Sequence, residues 1–245
     1  MPEEEKLPAF YALRSGGWRD YITILHLPYT LWHLSYVALG AAVSSVIHWE
    51  RVGYALLAFG LGLGIGAHAL DEYRGRPLRT RIPGCVLLGM GIASLAGAVV
   101  VGIYGVFKVS PTLLPFIAFG AFTAAAYTLE WWGGLFHTDV WFALSWGAFP
   151  VLTAHWANVL RVEPAGFLMA LAAYSISRAQ RRLSTPVRTL RRRVRQVEGR
   201  IEYIDGSAEP LDESILRIPL EGALRALSWA MPLVAAAALL TRAGL

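Results

Sequence analysis

At 245 residues, 56% hydrophobic and only 16% charged, with a mean hydropathy of +0.47, the chain is too apolar to keep a wettable surface around a core, which excludes an ordinary soluble domain. Its single cysteine, Cys85, excludes a disulfide within the chain and any CxxC metal site. The net charge of +5 and pI near 9.6 raise nucleic acid as a partner, but the basic residues fall in the pattern that orients membrane proteins, so no nucleic-acid partner is expected.

In chain order, residues 1–21 carry acids where a signal peptide carries basic residues and no apolar core before residue 22, so no cleavable leader is expected. Apolar runs long enough to cross a bilayer follow at about 24–47, 52–71, 84–106, 111–130, 138–160, 163–178 and 218–241. The expected fold class is therefore all-α, a polytopic transmembrane helical bundle of about seven spans. Its expected divisions are an N-terminal segment at 1–21, a six-span bundle at 22–180, an Arg-rich helix and loop at 181–217, and a final span at 218–245. Of 22 Lys and Arg, seventeen lie before the first span, between spans two and three, or in 178–217. The positive-inside rule makes those segments and the N-terminus cytoplasmic, in a bacterial or archaeal cell membrane.

Span two, "LLAFGLGLGIGAHALDEY", holds Gly60, Gly62, Gly64 and Gly66 in two overlapping GxxxG pairs, a pattern for close helix packing in lipid. It ends in an ionisable cluster. On a helix His68, Asp71 and Glu72 stand at i, i+3 and i+4 and share a face, with Arg74, Arg76, Arg79 and Arg81 just beyond. Ionisable groups at that depth are costly without a cavity, partner or ion. Two chemistries suit them: carboxylates holding Mg²⁺ against a diphosphate whose oxygens arginines neutralise, or a His and carboxylate site for a transition metal. The plainer alternative pairs the acids with the neighbouring arginines in a solvated cap.

The loop after span four supplies Glu130, His137 and Asp139, and span six closes on Tyr174, Arg178, Gln180, Arg181 and Arg182. Three polar ends on one side of a bundle point to one anion-compatible chamber. His26, His33, His48 and His155, taken singly, read as packing or interface residues. Beyond residue 183, Leu183, Val187, Leu190, Val194, Val197, Ile201 and Ile204 alternate spacings of four and three, a heptad stripe. It predicts a basic amphipathic helix over 183–204, begun by Ser184 or Thr185 and Pro186, that lies on the membrane, meets a partner or a second copy of the chain, or covers the protein's own cytoplasmic mouth. The Asp205-Gly206 pair also reads as the turn of a short hairpin.

In this order the residues resemble the UbiA superfamily of intramembrane prenyltransferases. "LPYTLWHLSYVALGAA" is similar to that family's first helix through Pro28, Thr30, Leu31, Gly40 and Ala41, with Leu27 where the family has Arg. "AHALDEYRG" stands where the family has its first Asp-rich motif, Asp71 matching its last Asp while Ala67 and His68 replace its Asn and first Asp. Tyr127, Gly147 and Pro150 match the Tyr-led loop and following helix. The second motif's aspartates are absent from the region of Arg178, Gln180, Arg181 and Arg182.

The resemblance implies transfer of an isoprenyl group from a polyprenyl diphosphate to an aromatic or lipid acceptor. In that reading Asp71 and Glu72 hold one Mg²⁺. Arg74, Arg178, Gln180, Arg181, Arg182, Tyr127 and Tyr174 bind substrate, and Asp139 or Glu130 assists the acceptor. A second reading is a non-catalytic subunit that keeps a quinone or isoprenoid lipid among its spans and docks a partner through 183–204. A third is a metalloenzyme built on His68, Asp71, Glu72, His137 and Asp139.

Overall fold

The computed structural model describes residues 7–244; the acidic start at 1–6 and the final residue, 245, lie outside the described residues. About three quarters of the chain is helical. Among the described residues four helices are long and apolar enough to cross a membrane, Trp49–Gly75, Gly84–Lys108, Pro111–Thr128 and Glu213–Ala243, which marks an integral membrane protein.

After α1 (Trp18–Ile24), helix α2 (Leu27–Ala42) begins on Pro28, whose fixed φ suits a first turn, and runs 16 residues. The next rod joins α3 (Trp49–Phe59), a π-helical segment (Gly60–Ala67) and α4 (His68–Gly75). Helix α5 (Gly84–Lys108) starts after Pro83, and α6 (Leu114–Thr128) follows a 3₁₀ turn at Pro111–Leu113 that Ser110 caps. A single turn, α7 (Trp131–Gly134), leads to α8 (Asp139–Phe142), a second π-helical segment (Ala143–Ala148) and α9 (Phe149–Val159). Helix α10 (Pro164–Arg192), the hairpin β1 (Gly199–Glu202) and β2 (Ala208–Leu211), and α11 (Glu213–Ala243) complete the chain.

Helix α2 is the centre of the bundle, packed by α9 on one side and α11 on the other. Trp32 and Tyr36 are fully buried there with Val151, Ala173 and Met231. Close approach depends on glycine: a Cβ at Gly40 would sit 2.3 Å from the Val151 carbonyl oxygen, and one at Gly147 2.8 Å from the Ala173 carbonyl oxygen. Small residues that let backbones touch in this way are the usual interface of membrane helices. His155 is buried as a packing residue: its Nε2 accepts from the Glu163 backbone N–H at 3.1 Å, which leaves Nδ1 as the proton-bearing nitrogen toward the Ser44 hydroxyl at 2.9 Å.

The segment after residue 183 departs from the expected helix over 183–204 and from a purely helical fold. Helix α10 does not start anew at Ser184; it passes through Pro186 and ends at Arg192, with Val194 outside it. Ile201 lies on β1, antiparallel to β2 in the register Ile201↔Glu209, and Ile204 stands in the turn before Gly206 at φ +84°. A spacing of four, as from Val197 to Ile201, fits one face of a strand as well as of a helix, and here Asp205-Gly206 decides: Asp205 Oδ1 accepts from the Ser207 N–H at 2.9 Å, closing the turn.

At the same end of the bundle Arg191 and Arg217 both grip Glu221, which is 4% exposed. Arg191 also donates to the Leu7 carbonyl at 3.0 Å and Arg192 to the Pro8 carbonyl at 3.2 Å, while Arg225 stacks over Phe10. The N-terminal strap is thereby tied across the ends of α10 and α11.

Candidate functional site

Where α4, α6, α10 and the start of α2 converge, they enclose a chamber of about 500 Å³, covered by the strap Pro8–Tyr11. Ligand pockets usually fall at about 300–1,000 Å³. The chamber brings together His68, Asp71 and Arg74 from α4, Tyr127 from α6, Glu130 and His137 from the following loop, and Gln180 and Arg181 from α10. Residues over a hundred positions apart thus line one cavity.

Each polar group there has a distinct state. His68 Nδ1 donates to the Gly64 carbonyl at 3.2 Å and its ring stacks on His26 with centroids 4.0 Å apart. His137 Nδ1 donates to the Tyr127 carbonyl at 3.0 Å and stacks on the Tyr127 ring. His33 Nδ1 donates to the Trp146 carbonyl at 3.0 Å. His26 and His33, expected as packing residues, therefore line the chamber. Tyr11 meets His26 Nδ1 at 3.1 Å, and its burial raises the phenol pKa above the ordinary value, so the strap contributes a neutral hydroxyl.

The two adjacent acids behave differently. Glu72 is 1% exposed and turned out of the chamber, into the loop 76–82. One of its oxygens accepts from the Leu78 N–H at 2.9 Å, the other from the Thr80 N–H at 2.8 Å and the Thr80 hydroxyl at 2.9 Å. Glu72 is thus a loop anchor, buried and with both carboxylate oxygens engaged, not a free ligand. Asp20 holds the same loop through the Arg81 N–H at 2.8 Å, and Arg76 donates to the carbonyls of Thr80 and Ile82. The arginines of "RGRPLRTRIP" beyond Arg74 accordingly do not line the chamber. Asp71, one residue before Glu72, faces the chamber and makes no hydrogen bond or ion pair among the described residues.

Of the other expected acids, Asp139 accepts from Arg181 Nε at 2.8 Å and Glu130 from Arg74 at 3.0 Å, the latter pair half exposed at the rim. Arg181 also lies over Phe142 at 5.2 Å, so its fork is held from two sides. Arg178, Arg182 and Tyr174 do not line the chamber; Arg182 is exposed and Tyr174 packs against the core around Trp32 and Tyr36. Their places are taken by Arg188 and Arg192, which follow Arg181 by seven and eleven residues on one face of α10. Burial and the neighbouring guanidiniums of Arg181 and Arg192 lower the Arg188 pKa from its ordinary value. Its nearest partner is the Thr185 hydroxyl at 3.3 Å. Between these arginines and the chamber floor, Gln180 is 3% exposed with its Oε1 unpartnered.

A row of guanidiniums lining the same chamber as an unpaired carboxylate offers charge to an anion and a hydrogen-bond acceptor to a ligand's donor. Among the described residues no three His, Cys, Asp or Glu side chains converge to hold a metal ion. No protein-family model matches the chain, and no curated protein or solved structure matches it.

Proposed function

We propose that the chain is a UbiA-like membrane prenyltransferase of about seven spans, its basic end cytoplasmic, that transfers an isoprenyl group from a polyprenyl diphosphate to an aromatic or lipid acceptor. The observation that carries this reading is the row Arg181, Arg188 and Arg192 along one wall of a chamber that also holds the rings of Tyr29, Tyr127, Phe142 and Trp146. Guanidinium forks match phosphate oxygens in bidentate pairs, and a cation held beside a leaving diphosphate lowers the barrier to its departure. Asp139 holds Arg181 in place, and Phe142, Trp146 and Tyr127 wall the reacting carbon from water. Asp71, the acid without a partner, is the group free to receive the acceptor's proton.

Mg²⁺ would supply the same neutralisation as the arginines. The residues fit at most one such ion, at Asp71, because Glu72 has no oxygen to spare, and a two-ion centre does not fit. The same engagement of Glu72 leaves a transition-metal site at His68, Asp71, Glu72, His137 and Asp139 without support.

A second reading, a non-catalytic subunit holding an isoprenoid or quinone-like lipid, is favoured by the engagement of Glu72, Glu130 and Asp139 with other groups. Its partner would not meet a heptad helix over 183–204, since α10 ends at Arg192.

Release of pyrophosphate from geranylgeranyl diphosphate by the purified protein, in bilayers supplying aromatic and lipid acceptors, separates the two. Release lost in Arg188→Gln supports the transferase. Binding without release supports the subunit, and neither binding nor release overturns both.

A further inference from the structure

A second cavity of about 470 Å³ lies among α3, α5, α6 and α9, sharing no lining residue with the chamber, and reaches from the end of the bundle at Glu50 and Lys108 inward to Leu63. Counting thirteen residues from Glu50 to Leu63 at the helical rise gives a depth of about 20 Å, roughly half a bilayer. Its walls are apolar, with Phe59, Phe116 and Phe149 forming an aromatic side. Phe149 meets Phe59 and Phe116 at centroid separations of 5.6 and 6.3 Å. The inner half carries no charged residue, so a charged ligand group there would be costly.

Four hydroxyls line this cavity. Tyr54 donates to Glu50 at 3.0 Å, Thr123 to the Phe119 carbonyl at 2.8 Å, and Thr153 to the Phe149 carbonyl at 2.8 Å. Serine and threonine in membrane helices ordinarily settle their protons in this way, on the carbonyl one turn back. The fourth, Ser145, is 2% exposed and its Oγ has no partner. It stands in the π-helical segment Ala143–Ala148, whose altered backbone takes the usual carbonyl out of register. A buried hydroxyl left without a partner costs the fold unless something else satisfies it.

We propose that this cavity is a lipid-binding site for a neutral, single-chain lipid whose buried end carries a carbonyl oxygen, which accepts a hydrogen bond from Ser145 while the chain packs along the aromatic wall. The site is independent of the chamber: its ligand needs no phosphate, no metal and none of the α10 arginines.

The test uses the whole protein in phosphatidylcholine nanodiscs with two photoreactive probes of equal length, a diazirine-bearing octadecan-2-one and the same diazirine on octadecane. The ketone is expected to label peptides containing Phe59–Leu63 or Phe116–Ala124 about fivefold more than the alkane, the worth of one hydrogen bond. Ser145→Ala should bring ketone labelling down to the alkane level, and Ser145→Thr, which keeps the hydroxyl, should retain it. Because Ser145→Ala removes an unpartnered buried polar atom, it should fold at least as well as the parent chain, which thermal unfolding checks. Equal labelling by the two probes in the parent chain, or unchanged ketone preference in Ser145→Ala, overturns the proposal and leaves the chamber reading untouched.

Discussion

The two cavities are nearly equal in size, about 500 and 470 Å³, and opposite in chemistry. The chamber is walled by arginines, histidines and tyrosines; the other cavity has phenylalanines and one idle hydroxyl. Only a thin layer divides them. Leu63 and Ala67, Ala124 and Tyr127, and Ser145 and Trp146 are pairs of near neighbours in sequence that face one cavity and the other. Leu63, Ala67, Tyr127 and Trp146 pack in one cluster. Both π-helical segments, Gly60–Ala67 and Ala143–Ala148, cross this layer. Two segments of π register thus stand between an arginine-lined chamber and an apolar cavity, and π segments are a frequent mark of functional positions.

Removing the divider should have the largest effect. Trp146→Ala deletes a side chain only 4% exposed and should destabilise the fold by about 3–5 kcal/mol, read as a fall in unfolding midpoint in detergent. The loop anchor should matter next. Glu72→Ala strands the N–H groups of Leu78 and Thr80 and should cost about 2–4 kcal/mol, whereas Asp71→Asn, one residue away, should leave the midpoint nearly unchanged. A comparable loss in both would mean that Asp71 supports the fold no less than Glu72 does.

Smaller effects sharpen the contrast. Arg188→Gln removes a cation crowded by two others and should keep stability within about 0.5 kcal/mol or raise it, yet weaken binding of a diphosphate lipid about tenfold or more, measured by titration. The smallest effect lies outside both cavities, at the start of α11. Hydrogen bonds from the Ser214 hydroxyl and the Ile215 and Ser214 N–H groups hold the Asp212 carboxyl below its ordinary pKa. A depressed folded-state pKa gives stability that is present above the ordinary carboxylate range and lost as pH falls through the folded value. The hydrogen-exchange protection factor at the first turn of α11, with the intrinsic rate at each pH divided out, should therefore fall on acidification, and Asp212→Asn, still a capping residue, should reduce that pH dependence.

Much of the chamber was legible in the sequence because its residues sit where apolar runs stop. His68, Asp71, Tyr127, Gln180 and Arg181 stand at or near the ends of such runs and His137 just before the next one, and in a bundle those ends can meet. What was hidden depended on the backbone. Nothing in the spacing of Glu72 tells that two N–H groups several residues onward will bind its carboxylate. Arg188 and Arg192 become neighbours of Arg181 only if α10 continues through Pro186; a helix taken to begin at Ser184 breaks that row into two unrelated pieces. Val197 and Ile201 fit both a heptad and a strand, and the Asp205-Gly206 turn outweighed helical propensity. The strap Pro8–Tyr11 carries no sequence mark of its role because backbone carbonyls hold it.

The account turns on whether the α10 arginines make the chamber an anion site. Thermal unfolding of the purified protein with geranylgeranyl diphosphate tests this most directly, since a ligand bound only to the folded state must raise the midpoint, by about 2.7 kcal/mol at one hundred times its dissociation constant. The expected result is a rise in the parent chain, kept in Ser145→Ala and cut to about half or less in Arg188→Gln. No rise, or a rise of equal size in Arg188→Gln, would contradict the assignment of the chamber to a diphosphate lipid.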